Sequence, residues 1–322
     1  MTFASVPLMA LTSYYNPFHG EWRRRNYDVF HANLGVPLVT VEWSRDGRFD
    51  LTPGDADVMI RVEGGDLMWQ KERLLNLGLA RIRAEGLARD VAIVDADVVF
   101  AASDWHRRVS AALDAWPILQ CQTHIAYLPE LPAGARDRAQ LAALAPESTI
   151  CSLGYALAQG MPLFTSDPEV ARVMAVSGVR PSSGGAGMAT GLRLGSLPAF
   201  ELYEGNIVGG GDLLMGCAFL GRLQELFDAR NYSSAHQADA VAWQARCLPA
   251  QPRSGWADNR ALHLWHGKLE GRQYGERMAI LGPRGYDPAR DLDRSGPALR
   301  FTARAGELKE AVGAYLASRK DA

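Results

Sequence analysis

Apolar and polar positions switch between two periods through the first third of the chain. Residues 7–13 make an apolar run of strand length, and residues 36–43 and 57–62 make two more. Between the first two runs, residues 21–34 follow helical spacing, with Trp22, Val29 and Phe30 among the apolar positions and Gly35 as the stop. Residues 16–20 and 47–54 have turn composition. Residues 69–86 give the best amphipathic helix of the sequence, with Leu75, Leu79 and Ile82 spaced to share a buried face. Residues 91–100, VAIVDADVVF, then read as a short buried strand ending in Asp95-Ala96-Asp97. Ser103 or Asp104 is placed to cap a helix running through Trp116. Strands and helices alternating at these lengths predict an α/β sheet with helical crossovers. Ligands of such sheets sit beyond the carboxyl ends of the strands, where Asp95 and Asp97 fall.

The pattern is less regular afterwards. Residues 118–127 predict a strand, and residues 129–148, rich in Ala, Pro and Arg, a helical insertion or a surface loop. Residues 182–191, SSGGAGMATG, hold too many glycines for a regular element; they form either a mobile loop or a close backbone approach to a ligand. Residues 200–206 lead to Gly209-Gly210-Gly211-Asp212 and then to a helical stretch over 213–227. Residues 249–259 are a breaker-rich link, able to let the segment after them move as a lid, and residues 306–320 one amphipathic helix. One domain is expected over 1–280, with 281–322 as a tail ending in that helix.

Composition removes several classes. Hydrophobic residues are 48% and charged residues 22% of 322, which is globular, and a formal charge of -2 offers no basic field for nucleic acid. No apolar stretch approaches a membrane span, and the first residues lack a basic region followed by a long apolar run. Cys121, Cys151, Cys217 and Cys247 are widely spaced and read as buried thiols of a cytoplasmic protein, at most peripheral to a membrane; composition leaves two disulfides open.

Three groups carry chemistry. Side chains at i and i+2 of an extended strand point the same way, so Asp95 and Asp97 converge if the backbone stays extended. Paired carboxylates beside a core are costly unless they bind a cation or a counter-ion. His263 and His266, three apart around Trp265, would share a helix face or meet on an irregular loop, and with the two aspartates they make an O/N ligand set suited to Mn²⁺ or Mg²⁺. Asp212 follows three glycines that permit close backbone approach; it serves either as a reacting carboxylate or as the cap of the helix behind it.

These blocks, in this order, resemble nucleotide-sugar glycosyltransferases of the GT-A fold, most of all the family 2 group and the galactosyltransferase carboxy-terminal module. In those enzymes an Asp-x-Asp motif ends a central strand and holds a divalent cation against the donor diphosphate, and Asp95-Ala96-Asp97 matches it. The stretch WQKERLLNLG from Trp69 is similar to the β-1,4-galactosyltransferase helix FNRAKLLNVG, whose aromatic and basic residues contact the nucleotide; this carries over to Trp69 and Lys71. Val208-Gly209-Gly210-Gly211-Asp212 keeps the glycines and the general-base aspartate of their Trp-Gly-Gly-Glu-Asp motif and lacks its Trp and Glu. Their later metal ligands are a Met and a His three apart, the spacing of His263 and His266. The resemblance implies an α/β GT-A fold with a mainly parallel central sheet. It implies a metal-dependent transfer of a hexose-type sugar from a nucleotide-diphosphate donor, with a UDP-sugar as family expectation, to a glycan or other hydroxyl acceptor. It further implies Asp212 as base of an inverting displacement, Asp97 on the metal, and Asp95 near both metal and ribose. Tyr14, Tyr15 or Phe18, in the loop after the first strand, are available to stack on a base.

Other classes fit less well. A dinucleotide dehydrogenase wants its glycines after the first strand, and here they come late. A metal-dependent phosphohydrolase wants a second metal or an early nucleophile. A sugar nucleotidyltransferase shares the sheet, but opens with a basic glycine-rich loop where this chain has SYYNPFHGEW. A non-catalytic carbohydrate-binding protein of the same fold predicts no metal-dependent turnover.

Overall fold

A computed structural model describes residues 5–132, 134–174, 179–249, 254–268, 271, 273–274 and 277–319. The first half runs β1 (Val6–Tyr15), α1 (Glu21–Leu34), β2 (Leu38–Ser44), β3 (Val58–Glu63), α2 (Lys71–Glu85), β4 (Ala88–Val94), β5 (Val98–Phe100), α3 (Trp105–Ala112), β6 (Ile118–Gln120) and β7 (His124–Tyr127). It continues through α4 (Arg138–Ala143), β8 (Ser148–Cys151), α5 (Leu153–Ala158), α6 (Pro168–Val173), β9 (Ala189–Arg193), α7 (Gly211–Phe219), α8 (Leu223–Ala229) and α9 (Ser234–Cys247). The last elements are β10 (Ser254–Trp256), β11 (Arg260–His263), α10 (Met278–Leu281), α11 (Pro288–Asp291), β12 (Leu292–Asp293), β13 (Arg300–Phe301) and α12 (Gly306–Ser318).

The expected α/β architecture with a mainly parallel central sheet is what forms. Seven strands lie in the order β10-β6-β9-β4-β1-β2-β3, so β4 is central. All neighbours pair in parallel except β9, which is antiparallel to both β4 and β6. The two-residue period of the strands divides the interior. Met9, Leu11, Val91 and Ile93 enter one core with Leu75, Leu79 and Ile82 of α2. Leu8, Ala10, Ala92 and Val94 enter another with Phe30 of α1 and Trp105 of α3. Gly78 lets α2 lie close to the sheet: a Cβ there would stand 2.3 Å from Leu11 Cδ1.

A second sheet, β5-β11-β7-β8, stands beside the first. This arrangement corrects the single strand expected over residues 91–100. β4 ends at Val94, the chain turns at Asp95-Ala96-Asp97 with the Val98 amide donating to the Asp95 carbonyl (3.1 Å), and β5 pairs with β11 instead. The strand expected over 118–127 divides in the same way, into β6 of the large sheet and β7 of the small one. The helix expected from Trp69 begins at Lys71, and the one expected through Trp116 ends at Ala112. The helix over 213–227 breaks at Gly221, whose φ of 68° leaves the helical region. Residues 250–253 of the breaker-rich link, and Lys320 at the end of the terminal helix, lie outside the described residues.

The carboxy-terminal segment packs into the main core through Leu292, Leu299, Leu308, Val312 and Leu316. Buried Gln70 binds it at both ends of its amide: the Leu299 amide donates to Oε1 (2.9 Å), and Nε2 donates to the Leu299 carbonyl (3.0 Å). All four cysteines are free, with Cys151 half-buried and the other three buried.

Candidate active site

The turn after β4 separates the two aspartates while keeping both on one cavity. The Asp95 amide donates to the Met188 carbonyl (2.9 Å), which pins the turn to the glycine-rich segment expected at 182–191. The last residues of that segment enter β9. Gln120 Nε2 donates to the Gly185 carbonyl and Gln122 Nε2 to the Gly187 carbonyl, and a Cβ on Gly187 would come 3.1 Å from Asp212 Oδ2.

Asp97 is brought to the histidines by the pairing of β5 with β11, where His263 faces Val98 in register. The Leu264 amide donates to the Asp97 carbonyl (2.8 Å), and the chain then leaves the strand so that His266 turns back on the same carboxylate. His266 Nε2 is 3.1 Å and His263 Nε2 3.8 Å from Asp97 Oδ2. Both imidazoles are buried, and one ligand atom from each of the three residues lies within 4.8 Å of the others. The pair is therefore a strand end plus an irregular loop, not a helix face.

Asp95 pairs with Lys71. The Lys71 Nζ stands 2.7 Å from Asp95 Oδ1 and 3.2 Å from Asp212 Oδ1, so one ammonium bridges two carboxylates. Burial alone would lower the Lys71 value, but Asp212 and Asp95 outweigh it and hold the ammonium well above its ordinary range. Burial pushes Asp95 up to about 6 against the opposing pull of Lys71. Glu72, next along α2, is fully enclosed; burial and then the Asp212 charge push its carboxyl up to about 8.

The three glycines before Asp212 are explained by what fills the space beside them. Gly209 and Gly210 have φ of 84° and 89°, and a Cβ on either would lie 3.0 and 3.1 Å from the guanidinium nitrogens of Arg277. A Cβ on Gly211 would meet Glu72 Oε1 at 2.3 Å. The close approach at these glycines is thus made by the side chains of Arg277 and Glu72. Gly210, not Asp212, is the cap of α7, which starts at Gly211; Asp212 sits in its first turn with its side chain 38% exposed.

Both carboxylate groups open on one cavity of about 260 Å³. Its walls include the site residues foreseen from sequence, namely Tyr14, Trp69, Lys71, Asp95, Asp97, Asp212, His263 and His266. Tyr14 is held by its hydroxyl, 3.2 Å from Asp50 Oδ2, and packs edge-on against Tyr27; Trp69 lies against Tyr15 with Arg319 over its ring at 5.1 Å. Phe18 is 45% exposed and does not line the cavity. Sequence reasoning did not assign Arg23, Tyr127 or Arg319, which also line it. Their positions in helix α1, strand β7 and the chain end carry no motif; only the fold gathers them.

No family model matches the chain, and no curated protein matches it significantly. Among solved structures, TarS 1–349 of S. aureus in complex with UDP-GlcNAc is 12% identical, over 84% of this chain and 62% of that one, with a TM-score of 0.33. The same protein in complex with UDP is 13% identical over 66% of this chain and 54% of its own, with a TM-score of 0.34. 4-Diphosphocytidyl-2C-methyl-D-erythritolsynthase from Anaerococcus prevotii DSM 20548 is 9% identical over 79% and 87%, with a TM-score of 0.32. The chain thus spans somewhat over half of the TarS structures. Similarity this distant is silent on chemistry.

Proposed function

We propose that the chain is a metal-dependent glycosyltransferase, moving a hexose-type sugar from a nucleotide-diphosphate donor, a UDP-sugar first among them, to a hydroxyl-bearing acceptor with inversion. The observation that carries this reading is one cavity lined both by a carboxylate and two imidazoles that converge and by a lysine-held carboxylate. Asp97, His263 and His266 fit a divalent cation: three donor atoms converge within 4.8 Å, from a hard carboxylate and two buried imidazoles. That donor set favours Mn²⁺ over Mg²⁺. When bound, such a cation supplies Lewis-acid stabilisation of the negative charge on a departing diphosphate.

The remaining work falls to the chain's own groups. Asp212 takes the proton of the acceptor hydroxyl as that oxygen bonds to the anomeric carbon and the carbon's bond to the diphosphate oxygen breaks. Lys71 fixes its orientation by holding both Asp212 oxygens, at 3.2 and 3.3 Å. Asp95 shares the same ammonium, and Trp69 and Tyr14 offer aromatic surface to the nucleotide end. Because Lys71 is committed to two aspartates, the countercharge to the diphosphate comes from elsewhere in the cavity.

The reading is tested by incubating the protein with Mn²⁺ and a panel of sugar nucleotides and measuring nucleoside diphosphate release. Release that EDTA abolishes is expected for at least one donor, by slow hydrolysis when no acceptor is present. Failure to bind or turn over any sugar nucleotide, with either cation, would refute it.

A further inference from the structure

We propose that Arg277 binds the diphosphate of the donor, and that the Gly209–Gly210 turn is shaped to seat its guanidinium beside the catalytic carboxylate. The inference rests on the glycosyltransferase reading and deepens it. Lys71 is consumed by Asp95 and Asp212, and other arginines of the fold are similarly engaged. Arg24 is held by Asp55, Arg73 by Glu204 and Arg193 by Asp90, while Arg230 donates to the carbonyls of Ala229 and Arg180. Arg277 differs. Among the described residues no carboxylate lies within ion-pair distance of it and no carbonyl accepts from its guanidinium, yet it lines the cavity that holds Asp97, His266 and Asp212. Its guanidinium lies against the Tyr274 ring at 4.7 Å and against two consecutive glycines. Both glycines adopt positive φ, and side chains at either would crowd the guanidinium.

A planar guanidinium seated between backbone and ring has its fork of N–H donors restrained, which suits two phosphate oxygens at once. The seat itself, Gly209–Gly210, is followed in the chain by Gly211 and Asp212. Diphosphate captured by Arg277 therefore bears on the Gly209–Gly210 turn, and through it on the start of α7 that carries Asp212. The class of ligand is a nucleoside diphosphate rather than a monophosphate, because Asp97 and its histidines already account for a cation beside one phosphate.

The test compares Arg277→Ala and Arg277→Lys with the unaltered protein by calorimetry in Mn²⁺. UDP, GDP, CDP, ADP and dTDP are used, each with its matching monophosphate. For the base the unaltered protein binds best, Arg277→Ala should weaken the diphosphate by about tenfold or more, with the monophosphate changed by less than about threefold. Arg277→Lys should recover only part of the loss, since it keeps the charge without the fork, and melting temperatures should stay close to that of the unaltered protein. Diphosphate affinity unchanged in Arg277→Ala, or diphosphate and monophosphate weakened in parallel, would overturn the assignment while leaving the glycosyltransferase reading intact. An unaltered protein that binds no nucleotide would overturn that reading, and this inference with it.

Discussion

Asp212 pairs with Lys71, Glu72 follows that lysine in the chain, and their surroundings give the two carboxyls different work. Asp212 reaches the cavity and keeps a charged partner, whereas Glu72 is enclosed and leaves Oε1 without a hydrogen-bond partner among the described residues. Asp212→Asn keeps the shape and loses the basicity. If Asp212 is the base, turnover should fall by roughly 10²-fold or more with donor and Mn²⁺ binding intact, a range expected for lost general-base catalysis. Near-normal turnover would remove it from that role, and a product retaining the donor's anomeric configuration would end the inverting mechanism. Glu72 makes a separate prediction about stability. Its carboxyl rises from an ordinary 4.5 to about 8 on folding, so the folded protein holds a proton that the unfolded chain releases. Stability from this group is present below about pH 4.5 and is lost as pH rises through about 8. Denaturant midpoints measured in EDTA between these limits should therefore decline with pH, and Glu72→Gln should flatten the decline. Equal slopes in both proteins would contradict a buried, proton-bearing Glu72.

At the scale of elements, the turn that opens α7 shows how one position depends on a side chain 139 residues earlier (211 − 72). Alanine is compatible with the helical backbone at Gly211, yet its Cβ would stand 2.3 Å from Glu72 Oε1. Gly211→Ala is expected to destabilise by about 1–3 kcal/mol, the usual cost of overpacking, and Gly211→Ala with Glu72→Ala to recover part of it. Additive losses in the double variant would exclude that contact as the cause. The GGGD cluster itself was legible in the sequence, as were α1, α2 and the first strands, because each couples a clear period to a stop signal. What filled the space beside the glycines was not legible, since Glu72 and Arg277 reach them only through the fold. The break between β4 and β5 was hidden for a related reason: both halves are apolar, and only the choice of partner, β9 or β11, divides them. α9 went unread because its buried stripe is His236, Ala240, Trp243 and Cys247, which carries helical spacing but little hydrophobic contrast.

The whole molecule brings together parts that lie far apart in the chain. The large sheet supplies Asp95, the junction of the two sheets supplies Asp97 with His263, and the terminal segment closes on Trp69 through Arg319. A cation and a nucleoside diphosphate are expected to bind jointly in that cavity. The most direct measurement is calorimetric titration of Mn²⁺ into the protein with and without UDP, repeated on His266→Ala. Mn²⁺ should bind more tightly when UDP is present, and His266→Ala should lose about tenfold or more of that affinity while its melting temperature without metal stays near that of the unaltered protein. Mn²⁺ binding that ignores UDP, or an affinity unchanged in His266→Ala, would contradict that expectation.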